Sequence, residues 1–417
     1  MKVLMLGWEF PPFFAGGAGI VCNELTKALN QIGTDVTFIM PSGPDNIYDN
    51  LSILEAGKPQ FKIIVANNTK IGNMVKVRQV KSLLSAYQSF EEYDKAYKKI
   101  LQKGKGGVKP LYGQNLLEEV ERFAEQVLLL AEFEEFDVIH AQDWVTYLAA
   151  IKLKEKFHKP MVVHVHITEF DKSGGLHADP RIYAIEKQGM DFVDRVITVS
   201  NRVRDRCIHN YFVEPSKIRV VHNAAIPMNE SVNQNGINST DKIVLFAGRV
   251  TLQKGPEYFV DAAKKVLEHR KDVKFIMAGT GDMLPRMIEK AANMGIAGNF
   301  IFTGFYTRDE ADKLFSMADV YVMPSVSEPF GIIPYEAQAH GTPTIVSKQT
   351  GISEVLAHTL KIDFWDTNAM ASKILALLQY SSLHHEIKNQ GYLEAKNAVW
   401  TIPASKCLNI YNEVINT

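Results

Sequence analysis

Short apolar runs alternate with stretches of helical spacing along almost the whole chain. The runs Lys2–Leu6, Val36–Met40, Phe61–Val65, Val138–His140, Met161–Ile167, Arg195–Val199 and Arg219–His222 predict strands. Ile20–Gln31 reads as a helix, and residues 80–130 read as helical with a break at Gly104-Lys105-Gly106-Gly107. The polar, aperiodic segment Asn229–Ser239 then reads as a linker or loop. After it the rhythm restarts with Ile243–Ala247, Lys274–Ala278, Phe300–Thr303, Val320–Met323 and Thr344–Val346, each followed by helical sequence. Parallel neighbours need a long crossover, usually a helix, so this alternation predicts an α/β fold. The expected architecture is two Rossmann-like, doubly wound parallel-sheet halves joined near residue 230, with a cleft between them. Ligands of such sheets sit beyond the carboxyl ends of the strands. Residues just past each predicted strand are therefore the candidates for a site.

Composition narrows the function. The 417 residues carry 46 Lys plus Arg against 47 Asp plus Glu, which argues against a role based on neutralising nucleic-acid phosphates. No apolar run approaches the roughly 18 residues of a membrane helix. The start, Met1–Glu9, is too short in apolar residues for a secretory signal. Cys22, Cys207 and Cys407 are widely spaced and suggest reduced thiols, so a cytoplasmic location is expected.

Several candidates fall after strands. Gly16-Gly17-Ala18-Gly19 precedes a helix, where glycines admit a ligand close to the backbone. A plain tight connection explains them equally well. Arg249 and Lys254 follow Lys242–Ala247 and suit a diphosphate, one as a fork and the other as a compact charge. Glu328 and Glu336 follow Val320–Met323, and Pro334 predicts a helix starting near Ile333 with Glu336 in its first turn. The free N–H groups near Gly331–Ile333 would then face the cleft, and the two acids are acceptors for sugar or ribose hydroxyls. Glu336 as a mere complement to the helix dipole is the plainer alternative. Thr350-Gly351 opens a further turn whose backbone donors suit a phosphate, or only cap a helix. His164 and His166 share one face of a strand, with Glu169 and Asp171 following. They suggest a metal pair, two packed side chains, or a packed His164 with His166 reaching the cleft.

Taken together, these pieces resemble a nucleotide-sugar glycosyltransferase of the GT-B fold, family 4, close to the glycogen and starch synthases. The resemblance runs from Gly7-Trp8-Glu9-Phe10-Pro11-Pro12 and Gly16-Gly17, through Tyr112-Gly113 with Leu116–Val120, His140-Ala141-Gln142-Asp143-Trp144 and His166–Gly174. It ends with Arg249/Lys254, the Glu328-x7-Glu336 element and Thr350-Gly351. It implies an N-terminal acceptor-side domain (1–228), a nucleotide-sugar domain (229–402) and a last helix (403–417) crossing back to the first domain. It implies a retaining hexosyltransferase, glucosyl transfer foremost, with a UDP-, ADP- or GDP-sugar as donor, a glycan acceptor, and neither cofactor nor metal. Arg249 and Lys254 would grip the diphosphate, and Glu336 the ribose. Glu328 with the backbone of Phe330, Gly331 and Ile332 would bind the sugar. His166 would touch the transferred sugar, Asp143 would help define the acceptor side, and Gly17 would let its loop close. Two departures from bacterial glycogen synthases stand out: Phe14 replaces a lysine, and Thr350-Gly351-Ile352-Ser353 is nearer family 4. Alternatives are a family 4 enzyme of cell-surface glycan or glycolipid assembly, a non-catalytic sugar-nucleotide-binding protein, and a metal-dependent hydrolase using the histidine pair.

Overall fold

The computed structural model describes residues 1–10, 17–41, 61–66, 75–80, 82–84, 88–103, 113–175, 177–226 and 241–417. Fourteen strands among them form two sheets. The first sheet holds β1 (Lys2–Leu6), β2 (Asp35–Pro41), β3 (Phe61–Ala66), β4 (Val75–Val80), β5 (Val138–Gln142), β6 (Met161–Val165), β7 (Arg195–Thr198) and β8 (Ile218–Val220). Their spatial order is β3-β4-β2-β1-β5-β6-β7-β8. Every pairing is parallel except β3 with β4. The second sheet holds β9 (Lys242–Ala247), β10 (Val273–Ala278), β11 (Phe300–Gly304), β12 (Val320–Met323), β13 (Thr344–Ser347) and β14 (Leu360–Ile362). Its order is β11-β10-β9-β12-β13-β14, all parallel.

Helices cover both faces of each sheet, so the central strands have no solvent side. Every residue of β5, β6, β12 and β13 is buried, as expected for apolar runs without alternation. Chain order reverses between β1 and β5 in one sheet and between β9 and β12 in the other. Those two switch points are where such sheets open a crevice at their carboxyl edge.

Three details depart from the sequence expectations. Residues 75–80 form β4, where no strand was predicted; its apolar residues are only Val75, Val77 and Val80, and the strand is paired with β2 on one side and β3 on the other. The helical region expected over 80–130 begins only at Phe90 and holds two helices, Phe90–Lys103 and Leu116–Ala131; the expected break at 104–107 lies outside the described residues. The three-residue β14 was also missed, being too short to show periodicity. The expected junction at 229–239, Phe14, Tyr112 and Gly16 lie outside the described residues.

The last helix, Thr401–Ile415, packs on the helix Gly17–Gln31 beside the first sheet. Glu413 on it receives Arg195 at 2.8 Å and Arg219 at 2.6 Å, and Tyr411 reaches His140 at 2.5 Å.

Candidate active site

The carboxyl edge of the second sheet gathers the charged candidates. The chain leaves β9 through Gly248 at φ +140° and reaches Gly255 at φ +65°; a Cβ on Gly255 would stand 2.2 Å from the Pro324 carbonyl. Only glycine allows the loops after β9 and β12 to approach this closely. The approach brings Lys254, on the short 3-10 turn Leu252–Lys254, into an ion pair with Glu328 on the loop after β12. Arg249 is exposed, with one Nη 3.5 Å from the Gln253 side-chain oxygen.

The loop continues through Gly331 at φ +87°, where a Cβ would collide with the Glu328 side chain at 2.8 Å. Among the described residues no acceptor receives the N–H groups of Phe330, Gly331 or Ile332. The helix Ile333–Ala339 follows with Pro334 in its first turn, as predicted, and Glu336 is buried on it. Burial pushes the Glu336 carboxyl upward, and Arg308, 3.0 Å away, pulls it back. Arg308 was missed in the sequence. Its signal was position: it follows β11 by four residues, on the same carboxyl edge as the other candidates.

At Thr350-Gly351 several donors are engaged within the protein. The Gly351 and Ile352 N–H groups donate to the carbonyls of Glu328 and Phe330, both at 2.9 Å, and the Thr350 hydroxyl donates to Ser347. The Gly351 and Ile352 donors brace the 328–330 loop.

The N-terminal wall is different in kind. His140, His164 and His166 stack in a row, with ring centroids 5.3 and 4.3 Å apart. Their planes lie nearly parallel, so the nitrogens do not converge as metal ligands must. Among the described residues no group of three or more acids, histidines and cysteines is placed to hold a metal. Burial lowers all three imidazoles, His140 to about 3 and His166 to about 4. His166 lies just past the end of β6 and is 8% exposed, with Nε2 3.0 Å from Gln142 Oε1. Glu169 pairs with Lys172 on the next turn.

Asp143 is buried, and its Oδ1 accepts from the His166 and Ile167 N–H groups at 2.8 and 3.3 Å. Burial raises its carboxyl to about 7 in spite of those two bonds. It thus fixes the backbone from which His166 projects. Its own backbone sits at φ 57°, an uncommon conformation for a residue other than glycine.

The two walls meet along a seam that the sequence did not reveal. Ser327 donates to Asp171 at 3.0 Å, and Ser200 donates to the Pro329 carbonyl at 2.6 Å. Glu354 accepts from the N–H groups of Asn201 and Arg202, both at 2.8 Å, and His222 Nε2 lies 2.9 Å away. Partial burial opposes the Glu354 charge, but these donors outweigh it and hold the carboxyl at about 2. Gly17 faces Ile332 across the cleft; a Cβ there would lie 4.0 Å from the isoleucine methyl. No helix among the described residues is long and apolar enough to cross a membrane.

Comparison with known proteins agrees with this geometry. Residues 15–225 match the family described as Glycosyltransferase Family 4, and residues 227–394 match Glycosyl transferases group 1. A glycosyltransferase of Methanocaldococcus jannaschii is 30% identical over 371 residues, covering 86% of this chain and 83% of that protein. A glycogen synthase of Mycobacterium tuberculosis is 22% identical, covering 85% and 80%. The catalytic domain of starch synthase IV from Arabidopsis thaliana, solved with ADP and acarbose, superposes with a TM-score of 0.72 at 16% identity, over 100% of this chain and 99% of that one. With its two parallel sheets, its cleft and both halves matched, the chain belongs to the family 4 glycosyltransferases of the GT-B fold.

Proposed function

We propose that the chain is a retaining hexosyltransferase that moves a glucosyl group from a nucleoside-diphosphate sugar to a glycan, in the manner of the glycogen and starch synthases. The observation that carries this reading is the juxtaposition of Lys254 with Glu328, beside three unpartnered N–H groups and close to the buried Glu336. In this reading Lys254 and Arg249 receive the diphosphate and stabilise it as it departs. Cations aimed at developing charge are the largest single source of rate in many enzymes. Glu328, released from Lys254, accepts sugar hydroxyls together with the 330–332 backbone. Glu336 accepts the ribose hydroxyls. His166, held neutral, offers a hydrogen bond to the transferred sugar without adding a charge. The acceptor hydroxyl attacks from the face the diphosphate leaves, so the anomeric configuration is kept.

A second reading, a family 4 enzyme acting on a surface glycan or glycolipid, is favoured by Thr350-Gly351-Ile352-Ser353, which departs from the synthase pattern. The test is a thermal-shift screen of UDP-, ADP- and GDP-sugars, followed by transfer assays of the best donor with glycogen, maltooligosaccharides and a lipid-linked acceptor. Transfer to glucan with the donor's anomeric configuration supports the first reading. Transfer only to the lipid acceptor supports the second, and an inverted linkage defeats the stereochemical claim.

A further inference from the structure

The network behind Glu336 contains a residue that the donor reading leaves without a task. Arg308 opens the helix Arg308–Met317, which follows β11 and is capped by Thr307. Its Nη1 lies 3.0 Å from Glu336 Oε1 and its Nε 3.7 Å from Asp312 Oδ1. Asp312 in turn stands 3.3 Å from His340 Nε2, and His340 Nδ1 lies 2.8 Å from the Glu336 backbone carbonyl. The network thus closes on itself: Glu336, Arg308, Asp312, His340. Only one carboxylate oxygen of Glu336 is occupied; among the described residues nothing donates to Oε2.

We propose that Arg308 is a positioning residue for the donor's nucleoside, holding Glu336 charged and turned so that Oε2 meets the ribose hydroxyls. The inference rests on Glu336 as the ribose acceptor. A carboxylate buried at 8% exposure needs a partner to stay charged. Arg308 is that partner, and at 40% side-chain exposure it remains in touch with solvent. The fork geometry of a guanidinium also fixes direction, since it engages Glu336 and Asp312 at once. The other groups facing Glu336 cannot substitute. Asp312 repels its charge, and Tyr306 and Tyr321, nearby, are neutral phenols whose pKa values burial raises. His340 points its ring at Asp312 and at a backbone carbonyl. Without Arg308, burial and Asp312 act together to favour the protonated acid.

The experiment measures how strongly the protein prefers a ribose over its dideoxy counterpart. Calorimetry with UDP, ADP and GDP identifies the diphosphate bound best. The same titration with its 2′,3′-dideoxy form gives a preference ratio, taken at pH 6 and pH 8. The wild type is expected to prefer the ribonucleotide about tenfold or more, as charge-assisted hydrogen bonds imply. Glu336→Gln should erase most of that ratio. Arg308→Gln should cut it about fivefold or more, with the deeper loss at pH 6, and Arg308→Lys should restore most of it. Lys254→Ala should weaken both ligands alike and leave the ratio unchanged. A ratio lost in Glu336→Gln but kept in Arg308→Gln at both pH values overturns the assignment of Arg308 and leaves the donor reading intact. If the wild type binds none of the three diphosphates, the donor reading fails and takes this one with it.

Discussion

On the first sheet, the cleft wall is made of groups held toward neutrality: three stacked imidazoles depressed by burial, and Asp143 raised to about 7. On the second sheet, the facing wall is built from ion pairs: Lys254 with Glu328, and Arg308 with Glu336. Both walls come from the same kind of βα connection at a topological switch point. The difference lies in how each handles the cost of desolvation. A buried titratable group without a counter-ion is pushed toward its neutral form, whereas one beside an opposite charge is drawn back toward the charged form, as Arg308 draws Glu336. In the proposed reading, one wall receives the uncharged sugar, and the other an anion that exchanges places with an internal partner.

This contrast can be broken first at its charged side. Lys254→Ala should lower kcat by about 10²–10³, because the cation acts on developing charge, and should also lower the melting temperature, because Glu328 loses its buried partner. Steady-state rates beside a thermal melt check this. Transfer at the wild-type rate would remove the lysine from the mechanism.

The neutral side predicts a pH effect with a definite sign. His166 titrates near 6.5 when unfolded and near 4 when folded, so between those values the unfolded chain binds more protons. Stability from this group is lost as pH falls from about 6.5 to about 4. His166→Gln should relieve that loss, on the order of 3 kcal/mol across the interval. Urea titrations of both proteins at pH 4.5, 5.5 and 7 measure it. Parallel stability curves would mean that the imidazole keeps its ordinary pKa.

The seam offers a smaller and more local test. A Cβ on Gly351 would stand 2.0 Å from the Pro329 carbonyl and 2.6 Å from Ser200 Cβ. Gly351→Ala should cost about 1–3 kcal/mol, typical of overpacking, because backbone cannot yield as a side-chain tip can. Chemical denaturation gives the value. No change would show that the two walls separate freely there.

The smallest effect is expected at Glu354. Its folded carboxyl sits near 2 and its unfolded one near 4.5, so its contribution is present above 4.5 and fades as pH drops toward 2. Glu354→Gln should cost about 1 kcal/mol at pH 7, the typical worth of a hydrogen bond with charge character removed. The difference from wild type should shrink below pH 4. A constant difference down to pH 2.5 would point to lost packing instead of lost charge.

The legibility of the sequence followed the range of the forces involved. The strands of β1, β2, β9, β10 and β12 announce themselves by apolar runs of five or so residues. Pro334 announces the start of its helix, because proline's missing N–H and fixed φ act within one turn. β4 and β14 were invisible, since each depends on neighbours supplied from elsewhere in the chain. Arg249, Lys254, Glu328 and Glu336 were visible as charges following strands. The Arg308 contact to Glu336 and the Asp143 contact to the His166 backbone span distances in sequence that no local pattern encodes.

What the sequence determined alone was the α/β class, the doubling of the sheet, and the identity of the charged residues at the strand ends. Those rest on periodicity and on local backbone chemistry. Tertiary structure decided which of those charges are paired, which backbone donors remain free, and which imidazoles stay neutral. Glycines at 248, 255, 331 and 351 let separate loops come within contact of one another, and burial then sets the protonation of whatever they enclose. Solvent exclusion is a property of the assembled molecule, so the charge state of the site is as well.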